Sequence, residues 1–295
     1  MELIQKIRPR RRIPGLTSAW NRLRGRTAPG QPLTEMPCLP IAAGTVQTPQ
    51  SPVDYRETIL ALITQAKKRI LIAALYLQDD DAGREVLTAL YAAKKAQPQL
   101  EVSVFVDWHR AQRGLIGKVK SEGNAALYRS MAERFGPGVT VYGVPVQRRE
   151  LMGVLHLKGL VIDDHVLYSG ASLNDVYLQR HGRYRLDRYH LIRSRKLADA
   201  MSVVLDRTLR HSSAVHLLNT PSAPKTAEIR AEIVRFRREL THTRYRFAGD
   251  RIRQGEIGVT PLFGLGIRDN PLNRTIVELV PLQCVRHWPA SLKRW

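Results

Sequence analysis

The stretch from His156 to Asn174, HLKGLVIDDHVLYSGASLN, constrains this chain more than any other. Its apolar run Gly159-Leu160-Val161-Ile162 has strand length and β-branched character, and Val166–Ser169 follows after a turn at Asp164 and His165. The pattern predicts a β-hairpin whose first strand covers Val154–Asp163. Strand alternation puts His156 and Lys158 on one face, and Asp163, an odd number of residues away, on the other. Asp163 therefore receives a structural role. An imidazole beside a fixed cation suits phosphoryl chemistry, the first attacking phosphorus and the second neutralising its oxygens. Gly170 permits a tight turn, after which Asn174 can return an amide donor to the same phosphate. A bare H-x-K says little. With Asp163, Gly170 and Asn174 at these offsets, the pattern is specific.

The flanking residues predict the setting. Asp54, with Glu57 three residues on, reads as the cap of a helix carrying Ile59, Leu60, Leu62, Ile63 and Ala66 at helical spacing. Ile70–Leu77 and Leu100–Asp107 read as buried strands, with a helix at Gly83–Ala96 between them. Asp79, Asp80 and Asp81 are read as a turn before that helix, because three consecutive carboxylates cannot all face one ion. Asn124–Phe135 and Leu197–Leu209 read as further helices, and Val139–Val144 as a strand. The alternation predicts an α/β fold with a mixed, mostly parallel sheet flanked by helices on both faces. Ligands of such sheets sit beyond the carboxyl ends of strands. That makes His109, Arg110 and Arg113, just past Asp107, candidates for holding a diphosphate or head group.

H-x-K-x4-D followed by Gly170 and Asn174 is the signature of the phospholipase D superfamily, which the chain resembles here. VDWHRAQRG, VYGVP, GVLHLKGLVIDD, LYSGASLNDVYL and DRYHLIR narrow the resemblance to the bacterial phosphatidylserine synthases of the phospholipase D type. The resemblance implies a phospholipase D-like lobe that moves a phosphatidyl group from CDP-diacylglycerol to L-serine, releasing CMP. His156 would be the nucleophile, through a phosphohistidine, with Lys158 and Asn174 on the phosphate oxygens. No metal or other cofactor is implied. Superfamily members place an acid thirteen residues after the motif Asn. Here that residue is Asp187, which would orient the attacking imidazole.

The family works with two H-x-K-x4-D copies, whereas only His156 among the nine histidines of this sequence has the pattern. The resemblance runs from about Val53 to Pro281. The expected organisation is a basic, Pro- and Arg-rich, poorly ordered arm over 1–52 and a catalytic lobe over 53–218. A linker, a basic helix and the start of a second lobe follow over 219–281. A tail over 282–295 reads as neither strand nor periodic helix. One full lobe plus a remnant of a second is thus expected. The alternative is a homodimeric single-motif phosphodiesterase or nuclease, in which self-association brings two His156 residues together.

Lys and Arg outnumber Asp and Glu by 47 to 26, so the net charge of +21 calls for a polyanionic partner. An anionic phospholipid surface and nucleic acid, including the ribosome, both qualify. No run reaches the roughly 18 apolar residues of a membrane span. Together with two widely separated cysteines, Cys38 and Cys284, this predicts a cytoplasmic protein, peripheral on the inner face of the membrane.

Overall fold

The computed structural model describes residues 38–113, 123–146, 153–242, 249–266 and 277–286. In chain order they form β1 (Leu39–Ala42), β2 (Val46–Gln47), α1 (Pro52–Gln65), β3 (Arg69–Ala73), α2 (Asp81–Ala96) and β4 (Glu101–Asp107). Next come α3 (Trp108–Ala111), α4 (Asn124–Phe135), β5 (Val139–Val144), β6 (Gly153–Val154), β7 (Gly159–Ile162) and β8 (His165–Ser169). The rest are α5 (Asp175–Leu178), β9 (Tyr189–Arg193), α6 (Arg195–Val204), β10 (His216–Leu217), α7 (Arg230–His242), β11 (Glu256–Gly266) and β12 (Val277–Arg286).

Eight strands make the main sheet, in the order β10-β5-β4-β3-β7-β8-β9-β2. Only β3–β4 and β4–β5 run parallel; β3–β7, β7–β8, β8–β9, β2–β9 and β5–β10 are antiparallel. The sheet is mixed, as expected, but the expectation that it is mostly parallel fails. The helix–strand alternation that suggests parallel crossovers stops at β5. Beyond it, β7 and β8 are joined by a turn too short for anything but an antiparallel return. Nearly every residue of β3, β4 and β7 is buried, so both faces of the sheet centre are covered. Met201 of α6 lies against Gly159 on β7. Tyr55, Ile59 and Ile63 give α1 its buried stripe.

That helix begins earlier than its sequence suggests. Ser51 is the cap: its hydroxyl accepts from the Asp54 N–H at 3.0 Å, while Asp54 Oδ2 accepts from the Ser51 N–H at 3.1 Å. Pro52 takes the first helical position, where its missing N–H costs nothing. Asp54 is thus the fourth and last residue of a capping box, at the third helical position, rather than its first.

A second sheet has the order β1-β11-β12-β6. It corrects two expectations. The arm expected over 1–52 contains strands from Leu39 onward, pairing with β11 and β9, and residues 1–37 lie outside the described part. The tail expected to lack a strand continues β12 as far as Arg286, with Thr260 opposite Val285 and Leu262 opposite Gln283; residues 287–295 lie outside the described part. Pro40, Pro261 and Pro281 sit inside these strands, and proline within a run argues against a strand when only local pattern is read.

Candidate active site

The segment carrying His156 and Lys158 is not one continuous strand. Gly153 and Val154 pair with β12 in the second sheet, Gly159–Ile162 pairs with β3 and β8 in the first, and Leu155–Lys158 crosses between them. Gly159, at φ 145°, supplies the backbone turn that lets the chain enter β7. Leu155 and Leu157 are buried, anchoring the crossing, while His156 is only partly buried.

Lys158 is the unusual residue: a lysine only 7% exposed. Its ammonium donates to the Gly170 carbonyl and lies 6.0 Å from the centre of the Tyr177 ring. A buried ammonium is retained only where acceptors and π-faces replace its water. Gly170, at the end of β8, also donates its N–H to Asp187 Oδ1 at 3.2 Å. A side chain at position 170 would fall 2.8 Å from Asp187 Oδ2, so the Gly170 peptide is held between the lysine and the carboxylate with no room for a Cβ. Asp187 takes a second hydrogen bond from the Arg188 N–H at 2.7 Å. The structure brings Lys158, Gly170 and Asp187 together.

Asn174 caps α5, its Oδ1 accepting from the Tyr177 N–H at 3.1 Å, a bond that uses the amide oxygen and not the NH2. Leu173 bridges to Leu77 just past β3, so Asn174 arrives at the carboxyl end of the central strands.

Asp163 has φ 50°, a left-handed conformation that Asp tolerates better than most residues. Its Oδ2 accepts from the Lys67 N–H at 2.8 Å, and its Oδ1 from Lys68 at 2.8 Å and Arg69 at 3.0 Å. Burial pushes this carboxyl upward, but the three backbone donors and the Lys68 charge outweigh it and hold it below its usual range. Its work is to tie the turn before β3 to the turn after β7.

His109 and Arg110 belong to α3, directly beyond β4, and Arg113 follows two residues after that helix. The Arg110 guanidinium lies 5.1 Å from the centre of the Tyr76 ring. What brings this turn to the motif is Asp107, which the sequence reading passed over. Its side chain is wholly buried; Oδ1 accepts from the Arg110 N–H at 2.8 Å and Oδ2 from the Leu155 N–H at 2.6 Å. One carboxylate thus caps α3 and grips the residue before His156. Burial pushes it up to about 6, against the pull of those N–H donors and of His109. The available signal was an acid closing an apolar strand immediately before a helix start. Tyr177 was missed as well; no local pattern places its ring beside Lys158.

The Asp79–Asp81 run acts mainly as helix termini. Asp80 caps α2 through the Gly83 N–H at 2.9 Å and also accepts from the Asp175 N–H at 2.9 Å, while Asp175 Oδ1 accepts from the Ala82 N–H at 2.8 Å. Among the described residues, Asp81, Asp175 and His181 form the group whose ligand atoms converge, within 4.8 Å, closely enough to hold a metal ion. Within that group His181 Nε2 lies 3.2 Å from Asp81 and 3.4 Å from Asp175.

Fold and site together define an α/β lobe: a mixed sheet with the H-x-K segment entering its central antiparallel strand. More particularly, the chain is related to the bacterial phosphatidylserine synthases. It is 49% identical over 252 residues to the CDP-diacylglycerol–serine O-phosphatidyltransferase of Escherichia coli, covering 85% of this chain and 55% of that protein. It is 41% identical over 254 residues to the Haemophilus influenzae protein of the same description, covering 84% of this chain and 56% of that one. The crystal structure of phosphatidylserine synthase from Haemophilus influenzae superposes with a TM-score of 0.74 at 40% identity, over 82% of this chain and 54% of that chain. The chain spans about half the length of the curated relatives it matches. No protein-family model matches it.

Proposed function

We propose that this chain carries the phosphatidyl-accepting half of a CDP-diacylglycerol–serine O-phosphatidyltransferase. A His156 nitrogen attacks the phosphorus next to diacylglycerol, the P–O bond to CMP breaks, and CMP leaves. The hydroxyl oxygen of L-serine then attacks the phosphohistidine, the P–N bond breaks, and phosphatidylserine departs as His156 is restored. Lys158 and the Asn174 amide neutralise the phosphoryl oxygens as charge builds on them. Asp187 and Gly170 set the depth of the lysine. His109, Arg110 and Arg113, just beyond β4, receive the nucleotide diphosphate in this reading. The observation that carries this reading is the buried Lys158 ammonium, which the fold holds two residues from His156 at considerable desolvation cost. Among the described residues no helix is long and apolar enough to cross a membrane, so the lipid would be met at its surface.

The test is covalent trapping. Incubation with CDP-diacylglycerol labelled in the phosphatidyl phosphate should leave acid-labile, base-stable label on the wild-type chain. His156→Gln should carry none. Label that persists in His156→Gln removes His156 as the nucleophile.

A further inference from the structure

Five large apolar side chains are exposed among the described residues, and three of them, Val176, Tyr184 and Leu186, fall between Asn174 and Asp187. They are 36%, 51% and 70% exposed. Val176 lies on α5, and the loop that carries the other two folds back on that helix: the Arg185 N–H donates to the Val176 carbonyl at 3.0 Å, and Val176, Gly182 and Tyr184 line one open hollow. Arg183 and Arg185 line the same hollow, and Arg188 is exposed two residues beyond Leu186. The Arg185 guanidinium lies 5.8 Å from the centre of the same Tyr177 ring that Lys158 approaches at 6.0 Å. One aromatic ring therefore joins this patch to the H-x-K lysine, and Asp187 joins its other end to Gly170.

We propose that the 176–188 loop is a membrane-docking surface for an anionic phospholipid bilayer. Exposed apolar tips beside exposed arginines match the two layers such a surface offers, acyl chains beneath a negative head-group plane. A soluble partner surface would not need both at the mouth of a site. The loop lies where a lipid substrate must leave the bilayer: its first residues continue from Asn174 and its last adjoins Asp187. This rests on the proposed function for its purpose but not for its test.

The experiment is co-sedimentation of the full chain with vesicles of phosphatidylcholine alone and of phosphatidylcholine with 30% phosphatidylglycerol. Wild type and His156→Gln should bind the anionic vesicles equally. The double variant Tyr184→Ser/Leu186→Ser should lose at least tenfold in partitioning, and each of Arg183→Gln and Arg185→Gln about fivefold. Val203→Ser, at an exposed valine of α6, should bind as wild type does. Unchanged binding of the Tyr184/Leu186 variant overturns the proposal. So does a variant that loses self-association in light scattering while keeping its vesicle binding, because the patch would then face a second copy. A labelling failure with vesicle binding intact would instead strike the proposed chemistry and leave this surface standing.

Discussion

Single residues hold the site in place by filling hydrogen-bond valences that would otherwise be buried and empty. Asp107 is the sharpest case, a fully buried carboxylate accepting from the backbone on either side of the site. Its carboxyl is raised from 3.8 to about 6, chiefly by burial, so the folded chain binds the proton more tightly than the unfolded chain does. A group raised in this way contributes most stability below its unfolded value and loses that contribution as pH climbs toward its folded value. From about pH 4 to pH 6, Asp107 should cost the wild type on the order of 2–3 kcal/mol. Asp107→Asn cannot titrate, although it forfeits one acceptor at every pH. Urea unfolding of both proteins at pH 4 and pH 7 should therefore show the wild type losing ground against the variant as pH rises. A constant difference between them would mean Asp107 ionises freely in the folded protein.

The same economy operates between elements. Asp163 supplies acceptors to three consecutive N–H groups at the start of β3 from the turn between β7 and β8, joining two segments about a hundred residues apart in sequence. Asp163→Ala strands all three donors and places alanine at positive φ, and should cost roughly 3 kcal/mol. Asp163→Asn keeps an acceptor and the backbone preference, and should cost about half as much. Thermal unfolding of the two variants at pH 7 checks the order; equal losses would mean that the charge, not the acceptor or the backbone, does the tying. How far these elements were legible follows from the range of their causes. Gly159–Ile162, β4 and α2 are written in local periodicity, and the motif could be located from its own residues. The second sheet could not be, because β1, β11 and β12 contain prolines and gain their hydrogen bonds from partners far away in sequence. Tyr177 was invisible for a related reason, acting on a residue that only the folded chain brings near; Asp107 could be marked as a cap, but its grip on Leu155 could not. The parallel expectation erred where a helical crossover gave way to short turns after β5.

For the whole molecule, the decisive number is one: the sequence holds a single H-x-K-x4-D, so His156 cannot be nucleophile and proton donor in the same step. The two halves of the proposed reaction do not suffer equally. CMP leaves as a phosphate monoester whose second proton has a pKa of about 6, so it can depart at neutral pH with little acid assistance. The serine hydroxyl is a weak nucleophile until a base takes its proton, and the base most directly aligned, His156, is then occupied by phosphorus. The chain should therefore label with CDP-diacylglycerol in a burst approaching one phosphatidyl group per chain, followed by serine-dependent release slower by roughly the 10²–10⁴-fold that general base catalysis supplies. Rapid-quench labelling gives the burst, and chasing with L-serine gives the release. Run across a hundredfold range of protein concentration, both rates per chain should stay constant. A release rate that climbs with concentration would show that a second copy lends its own His156 as the base, and would turn the monomeric half-reaction into that of a symmetric dimer.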